Sequence, residues 1–164
     1  MACQAKERTE RGPVGARAAE LASKAAIGPM REGERGAVQR LLTQADLPVQ
    51  GLEAVDFLVA RLEGAVVGAI GMERRGEDAL FRSLVVDPAW RGNGLGERLH
   101  TALAQLAKAS GVRRAFLLTS TIAELAATWG YRAIDRGQMP AEVAQTWEVA
   151  SGCCRSATAM TREL

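Results

Sequence analysis

Apolar and polar positions along the chain follow two periods. Three runs are almost continuously apolar: Asp56 to Arg61, Ala65 to Glu73 and Ala79 to Val86. Glu63-Gly64 separates the first two, and Arg74-Arg75-Gly76-Glu77-Asp78 the second and third. Both are turn signals, so the runs predict three successive strands, the second buried on both faces. From Leu95 the pattern changes. Apolar residues recur at 95, 99, 103 and 106, one face of a helix ending at the C-cap pair Ser110-Gly111. Arg114 to Thr119 is then a further buried strand, parallel to the Ala79 to Val86 strand if the helix is a crossover.

The flanks are weaker. Ala25-Ala26-Ile27 is a short strand stopped by Gly28-Pro29. Glu32 to Ala45 is a helix with Ala37, Val38, Leu41 and Leu42 on one face, and Asp46-Leu47-Pro48 ends it. Gly51 to Val55 is a connector or short helix. Beyond Thr119, the pattern predicts a helix over Ile122 to Trp129, a strand over Tyr131 to Asp135, a helix over Pro140 to Ser151 and a last strand over Ser156 to Thr161. Strands first in hairpins and then alternating with helices give an α+β fold with a mixed sheet.

Composition narrows the class. The 164 residues suffice for one domain with a real core. A net charge of +2 leaves no global nucleic-acid footprint. Three cysteines, two of them adjacent, do not make a disulfide framework, which favours a reducing compartment. No apolar run approaches the roughly 18 residues of a membrane span, and the N-terminus lacks a hydrophobic signal core; the expectation is a cytoplasmic protein. Residues 1 to 23 are rich in charge and poor in large apolar side chains. They read as a disordered arm, weakly helical over Ala16 to Ala22, with a single domain over residues 24 to 164.

The most informative stretch joins the third strand to the long helix. Asp87-Pro88 stops the strand. Arg91-Gly92-Asn93-Gly94-Leu95-Gly96-Glu97 then carries three glycines in five residues. Such a loop aims several backbone N–H groups one way, and the helix behind adds its positive end, which suits a diphosphate. The dinucleotide fingerprint Gly-x-Gly-x-x-Gly fails at Glu97, and no Gly-Lys-Ser/Thr phosphate loop occurs. The pattern Gln/Arg-x-x-Gly-x-Gly/Ala fits at Arg91 to Gly96, preceded by Leu84, Val86 and Pro88. In this the chain resembles the GNAT superfamily of acyltransferases, whose acetyl-CoA signature this is.

The resemblance implies a mixed sheet whose two parallel central strands splay apart, flanked by helices. It implies that the pantetheine arm of acetyl-CoA pairs with backbone at Leu84, Val85 and Val86, and that Arg91, Gly92, Asn93, Gly94, Leu95, Gly96 and Glu97 hold the diphosphate. The Leu84 N–H would polarise the thioester carbonyl. Dimers are common in the superfamily, so a homodimer is a further implication. Leu118-Thr119, Gly130-Tyr131, Arg136, Met139-Pro140, Thr146, Cys153, Ser156-Ala157 and Met160 narrow the likeness. Over about residues 47 to 164 the chain is similar to the arsenic-resistance N-acetyltransferases, a branch related to the acetyltransferase domain of N-acetylglutamate synthases. It departs from the branch in having Cys154-Arg155 where Pro-x is usual, and Leu125-Ala126 where two aromatic residues are usual. The branch implies acetylation of the α-amino group of a small, glutamate-like or organoarsenical amino acid.

That chemistry needs a proton acceptor. Glu73, ending a buried strand, is the first candidate, the alternative being a turn carboxylate paired with Arg74 or Arg75. Arg82 interrupts an apolar strand; it either binds a substrate carboxylate or pairs with Glu73 or Asp78. Ser83, Thr119, Ser120 and Arg136 complete the candidate substrate contacts. Many GNAT enzymes carry a tyrosine as general acid where this chain has Ala126. Tyr131, Trp129 and Trp147 read as packing, and Trp90 as either adenosine contact or core cap. His100 reads as solvated, Cys153 and Cys154 as free thiols, and no metal site is expected. The alternative function is a CoA-binding or partner-binding module with little turnover. Protein-lysine or N-terminal acetylation would want an acidic groove, whereas the cleft candidates are arginines.

Overall fold

The computed structural model describes residues 13–152 and 155–164. A seven-stranded sheet runs in the order β1-β2-β3-β4-β5-β7-β6. Its strands are β1 Ala26–Pro29, β2 Asp56–Leu62, β3 Ala65–Arg75, β4 Asp78–Val86, β5 Arg114–Thr119, β6 Arg132–Ile134 and β7 Thr158–Glu163. All neighbours are antiparallel except β4 and β5, which are parallel. The α+β mixed sheet expected from the pattern is therefore the fold. The parallel pair follows from the crossover helix α3, Leu95–Ala109, which returns the chain to the starting end of the sheet.

The near-continuous apolar runs are explained by two covered faces. Leu58 and Ala60 of β2 and Phe81 of β4 pack with Leu95, Leu99 and Leu103 of α3. The intervening Phe57 and Val59 face Val38, Leu41 and Leu42 of α2, Arg35–Gln44. Leu80 of β4 and Phe116 of β5 meet Val143 of α5, Ala141–Ala144. A strand between two such layers keeps its period of two but has no polar side to show.

Three expectations are corrected. Pro13–Ser23 is a helix, α1, where the sequence suggests only weak helicity over Ala16 to Ala22 within a disordered arm. Its C-terminal end is tied to α3, since Arg98 donates to Ala22 O in the last turn at 2.7 Å and to Ala25 O just beyond it at 2.9 Å. An α-helix end otherwise leaves such carbonyls unsatisfied. Residues 1–12 lie outside the described residues. Second, Pro140 to Ser151 is not one helix: α5 and α6, Trp147–Ala150, are separate four-residue pieces. Third, His100 is 2% exposed rather than solvated. It belongs to a second buried stripe, His100, Leu103, Ala104 and Ala107, spaced i, i+3, i+4, i+7.

His100 shares a 2.9 Å hydrogen bond with the Tyr131 hydroxyl and stacks on Trp129, the residue after α4 (Ala123–Thr128), at 4.5 Å between centroids. Burial, aided by Arg162, lowers its pKa from 6.5 to about 4. The unfolded chain therefore binds one more proton than the native state between those values. Stability is expected to fall by about 1.4 kcal/mol per pH unit as pH drops through this window. Thermal melts against pH check it: His100→Phe should flatten the curve there, and an unchanged slope would assign the effect elsewhere.

Candidate functional site

The two parallel strands pair only at Asp78–Arg114, Ala79–Ala115 and Leu80–Phe116. Past Leu80 the pairing stops, so the β5-facing backbone edge of β4 has no strand against it. Splaying coincides with a bulge. On the β3 side Gly71 opposes Arg82 and Ala69 opposes Val85, so Ser83 and Leu84 together face Ile70. Ser83 has a φ of +58°, a left-handed conformation that a side chain rarely adopts. The extra residue bends β4 and turns the backbone of Leu84 to Val86 along the gap.

At the C-terminal end of β4 the glycine loop begins. Asp87 Oδ1 accepts from Ala89 N at 2.9 Å, and Trp90 N donates to Asp87 O at 2.8 Å. Asn93 Nδ2 donates to the carbonyls of Trp90 and Arg91, both at 3.2 Å. These bonds set the loop from within. Gly92 and Gly94 have φ of +76° and +77°, and a Cβ at either would meet nothing within 4 Å. Both glycines thus serve backbone conformation and open space rather than packing. Gly94 is the N-cap of α3, whose first N–H groups have no intrahelical partner. An open N–H cradle at a helix start, continuous with an unpaired strand edge, fits a diphosphate joined to an extended arm. Arg91 Nε donates to Val86 O at 2.9 Å, placing its side chain over the junction of the two.

On the opposite sheet face from α3, Arg82 gathers three segments. Nη1 donates to Glu73 Oε1 of β3 at 2.9 Å, Nε to Glu148 Oε2 of α6 at 2.9 Å, and Nη2 to Gln50 O at 3.3 Å. Nε also lies 3.3 Å from Ser83 Oγ at the bulge. The Trp147 ring lies 5.9 Å from the guanidinium carbon. The Arg82 side chain is 0% exposed. Glu73 is also bonded by Arg75 Nη2 at 3.1 Å, so each of its oxygens accepts from an arginine. Both pairings weighed for Glu73 and Arg82 in the sequence thus include one that forms; Asp78 instead pairs with Arg114 at 2.7 Å. Burial raises the Glu148 carboxyl above the usual range; Arg82 opposes this and Glu73 adds to it.

Glu148 is the site residue that sequence reading missed. Its signal is faint: one carboxylate among Trp147, Val149 and Ala150. Its neighbour Trp147 also fixes the wall. A Cβ on Gly51, which has φ of +69°, would lie 2.7 Å from Trp147 Cβ. Gly51→Ala should therefore cost about 1–3 kcal/mol from overpacking alone and shift Gln50 off Arg82. Urea melts of the variant check the cost.

The remaining candidates are dispersed. Thr119 is buried at the end of β5, and its Oγ1 accepts from Thr121 N and Ile122 N. Ser120 is exposed beside it. Arg136 lies at the far side of the sheet, where Nη2 reaches Ala157 O at 3.4 Å. Ala126 is fully buried, and Tyr131 is core, its phenol pushed up by burial. Cys153 and Cys154 lie outside the described residues. A cleft of about 630 Å³ lined by Ile27, Gly94, Glu97, Arg98 and Thr101 opens between β1 and α3, away from Arg82.

Comparison with known proteins agrees with this geometry. No curated protein matches the sequence. Among solved structures, the chain is similar to N-acetylglutamate synthase from Neisseria gonorrhoeae complexed with coenzyme A and N-acetyl-glutamate. The TM-score is 0.74 and the identity 18%, over 85% of this chain and 35% of that one. This chain thus spans about a third of the length of that enzyme. It is also similar to Rv2747 from Mycobacterium tuberculosis in complex with CoA and NLQ (TM-score 0.70, 22% identity, 85% and 99% covered). A third is the IAA acetyltransferase from Bacillus cereus (TM-score 0.65, 20% identity, 86% and 100% covered). These likenesses establish the fold. Residues 28–131, from β1 through the bulged strand and glycine loop to Tyr131, match the model of the acetyltransferase (GNAT) family, and the chain belongs to that family.

Proposed function

We propose that this protein is an acetyl-CoA-dependent N-acetyltransferase acting on the α-amino group of a small acidic amino acid, glutamate or an organoarsenical analogue of it. The observation that carries the reading is the buried guanidinium of Arg82 beside the bulge, on the acceptor side of a strand whose other end enters the glycine loop. When bound, acetyl-CoA supplies a thioester: the amine attacks its carbonyl carbon, a C–N bond forms, the C–S bond breaks and CoA departs with the sulfur.

The protein's part follows from placement. The N–H groups of the Gly92-to-Glu97 loop hold the diphosphate, and Arg91 adds charge. The Leu84 N–H, turned by the bulge, donates to the carbonyl oxygen as charge develops there. Glu73, on the strand beside Arg82, takes the ammonium proton directly or through water. Arg82, with Ser83 at the bulge and Thr119 and Ser120 at the end of β5, orients the substrate. With Ala126 at the usual general-acid position, CoA leaves as a thiolate; near pH 8 that is not a demanding leaving group.

The test is thiol release from acetyl-CoA with glutamate, its phosphinic and arsinic analogues, neutral amino acids, polyamines and a lysine peptide. Turnover on acidic amino acids alone is expected. Tight CoA binding without turnover on any of them would favour a CoA-binding module, the reading that Ala126 supports.

A further inference from the structure

The glycine loop is set mostly by bonds within itself. Asp87 bonds Ala89, Asn93 bonds Trp90 and Arg91, and Arg91 bonds Val86. Pro88, Ala89, Arg91, Gly92 and Gly94 are exposed. A loop built this way opens locally at little cost. A cradle that holds its binding shape only part of the time loses affinity by that fraction.

One element reaches both ends of the loop. At its start, α1 packs against the turn Pro88–Trp90. Leu21 of α1 and Trp90 share one core cluster with Leu95 and Leu99 of α3. At its far end, Arg98 donates from Nη1 to Ala22 O at 2.7 Å and from Nη2 to Ala25 O at 2.9 Å. The backbone N–H of the same residue donates to Gly94 O at 3.1 Å, closing the first turn of α3 behind the loop. Ala22 and Ala25 are 1% and 3% exposed. Without Arg98 their carbonyls would lose a charged donor in a water-poor place. A cation there also suits the negative end of α1.

We propose that Arg98 is a positioning residue for the cofactor: by fixing α1 across both ends of the glycine loop, it holds the diphosphate cradle in its binding shape. This rests on the reading of that loop as the acetyl-CoA site. α1 precedes residues 28–131, so the brace lies outside the part of the chain matched to the family. Arg98 acts through α1 and the loop rather than by touching the cofactor. Its effect therefore falls on cofactor affinity and not on the acceptor, whose candidate contacts lie around Arg82.

The experiment is calorimetric titration of CoA into the full chain and its variants. Arg98→Met keeps the length without the donors, and should weaken CoA about tenfold, as if the cradle were competent a tenth of the time. Arg98→Lys can reach the same carbonyls and should recover most of the affinity. Ala18→Pro breaks α1 in its middle and leaves the charge of Arg98 in place. It should weaken CoA to a similar extent, and the double variant with Arg98→Met should bind little worse than either alone. In steady state the KM for acetyl-CoA should rise and the KM for the acceptor should not. The inference is overturned if Ala18→Pro binds CoA as wild type does, since a loss confined to Arg98→Met is direct attraction of the diphosphate by its charge. It is equally overturned if the variants melt earlier but bind CoA unchanged when folded, a purely structural role. If Arg98→Met does not fold, Ala18→Pro decides. If neither folds, hydrogen exchange on wild type decides: CoA should protect the amides of α1 together with those of the loop, and unprotected α1 amides overturn the inference. Wild type that binds CoA beside unaffected variants removes this inference alone. Wild type that does not bind CoA removes the cofactor reading, and this inference with it.

Discussion

Gly94→Glu should abolish CoA binding while the protein stays folded. Gly94 is the N-cap of α3 with φ of +77°, and a Cβ there would meet no protein atom within 4 Å. The substitution therefore collides with nothing. It costs about 1–2 kcal/mol of backbone strain, and it projects a carboxylate into the space where a diphosphate would meet the first N–H groups of the helix. Repulsion there would act against any diphosphate held by the loop. The expected weakening exceeds about 100-fold, equivalent to about 2.7 kcal/mol. Gly94→Ala carries the same strain without the charge and should lose much less. Calorimetry with CoA and circular dichroism decide it; unchanged affinity for CoA in the glutamate variant would remove the glycine loop from the cofactor site.

Arg82→Ala is the most destabilising single change expected. It leaves Glu73, 1% exposed, and Glu148, 7% exposed, without their shared cation. Breaking a buried ion pair in this way costs about 3–5 kcal/mol. It also removes the support of the Gln50 carbonyl and the surface against which the Trp147 ring lies. Arg82→Met in a Glu73→Gln, Glu148→Gln background should recover much of the stability, because no buried charge is then left unpaired. Urea denaturation measures both. If Arg82 also receives the acceptor's carboxylate, the KM for the amino acid should rise far more than the KM for acetyl-CoA in whatever fraction of Arg82→Lys folds. Lysine keeps the charge but not the planar fork. Equal KM values with lowered stability would leave Arg82 a purely structural cation.

The site divides by how far its parts are separated in sequence. The glycine loop is contiguous: Asp87-Pro88, the glycines and the helix start are all local, and local backbone preferences place them as read. The strands β2, β3, β4 and β5 were legible for a similar reason, since hydrophobic runs between turn signals mark them. The pairing of Arg82 with Glu73 was legible as one of two options because both lie in the same hairpin. Glu148 was not. It reaches Arg82 only because α6 folds back over the sheet, and α6 itself is broken from α5 at Gln145 and Thr146 in a stretch whose periodicity reads as one helix. The burial of His100 has no local signal, because the second, offset stripe of α3 is covered by Trp129 and Tyr131, some thirty residues further along the chain.

What the sequence by itself determined is the order of strands and helices and the phosphate-suited loop, since propensity, periodicity and turn chemistry act over a few residues. Tertiary structure alone decided which charges meet. It ended the β4–β5 pairing after Leu80, set the left-handed bulge at Ser83, and brought Glu148 from a distant segment onto Arg82 opposite its hairpin neighbour Glu73. Those outcomes depend on desolvation and on Coulomb interactions that fall off with distance in space. Residues far apart along the chain carry no local record of them.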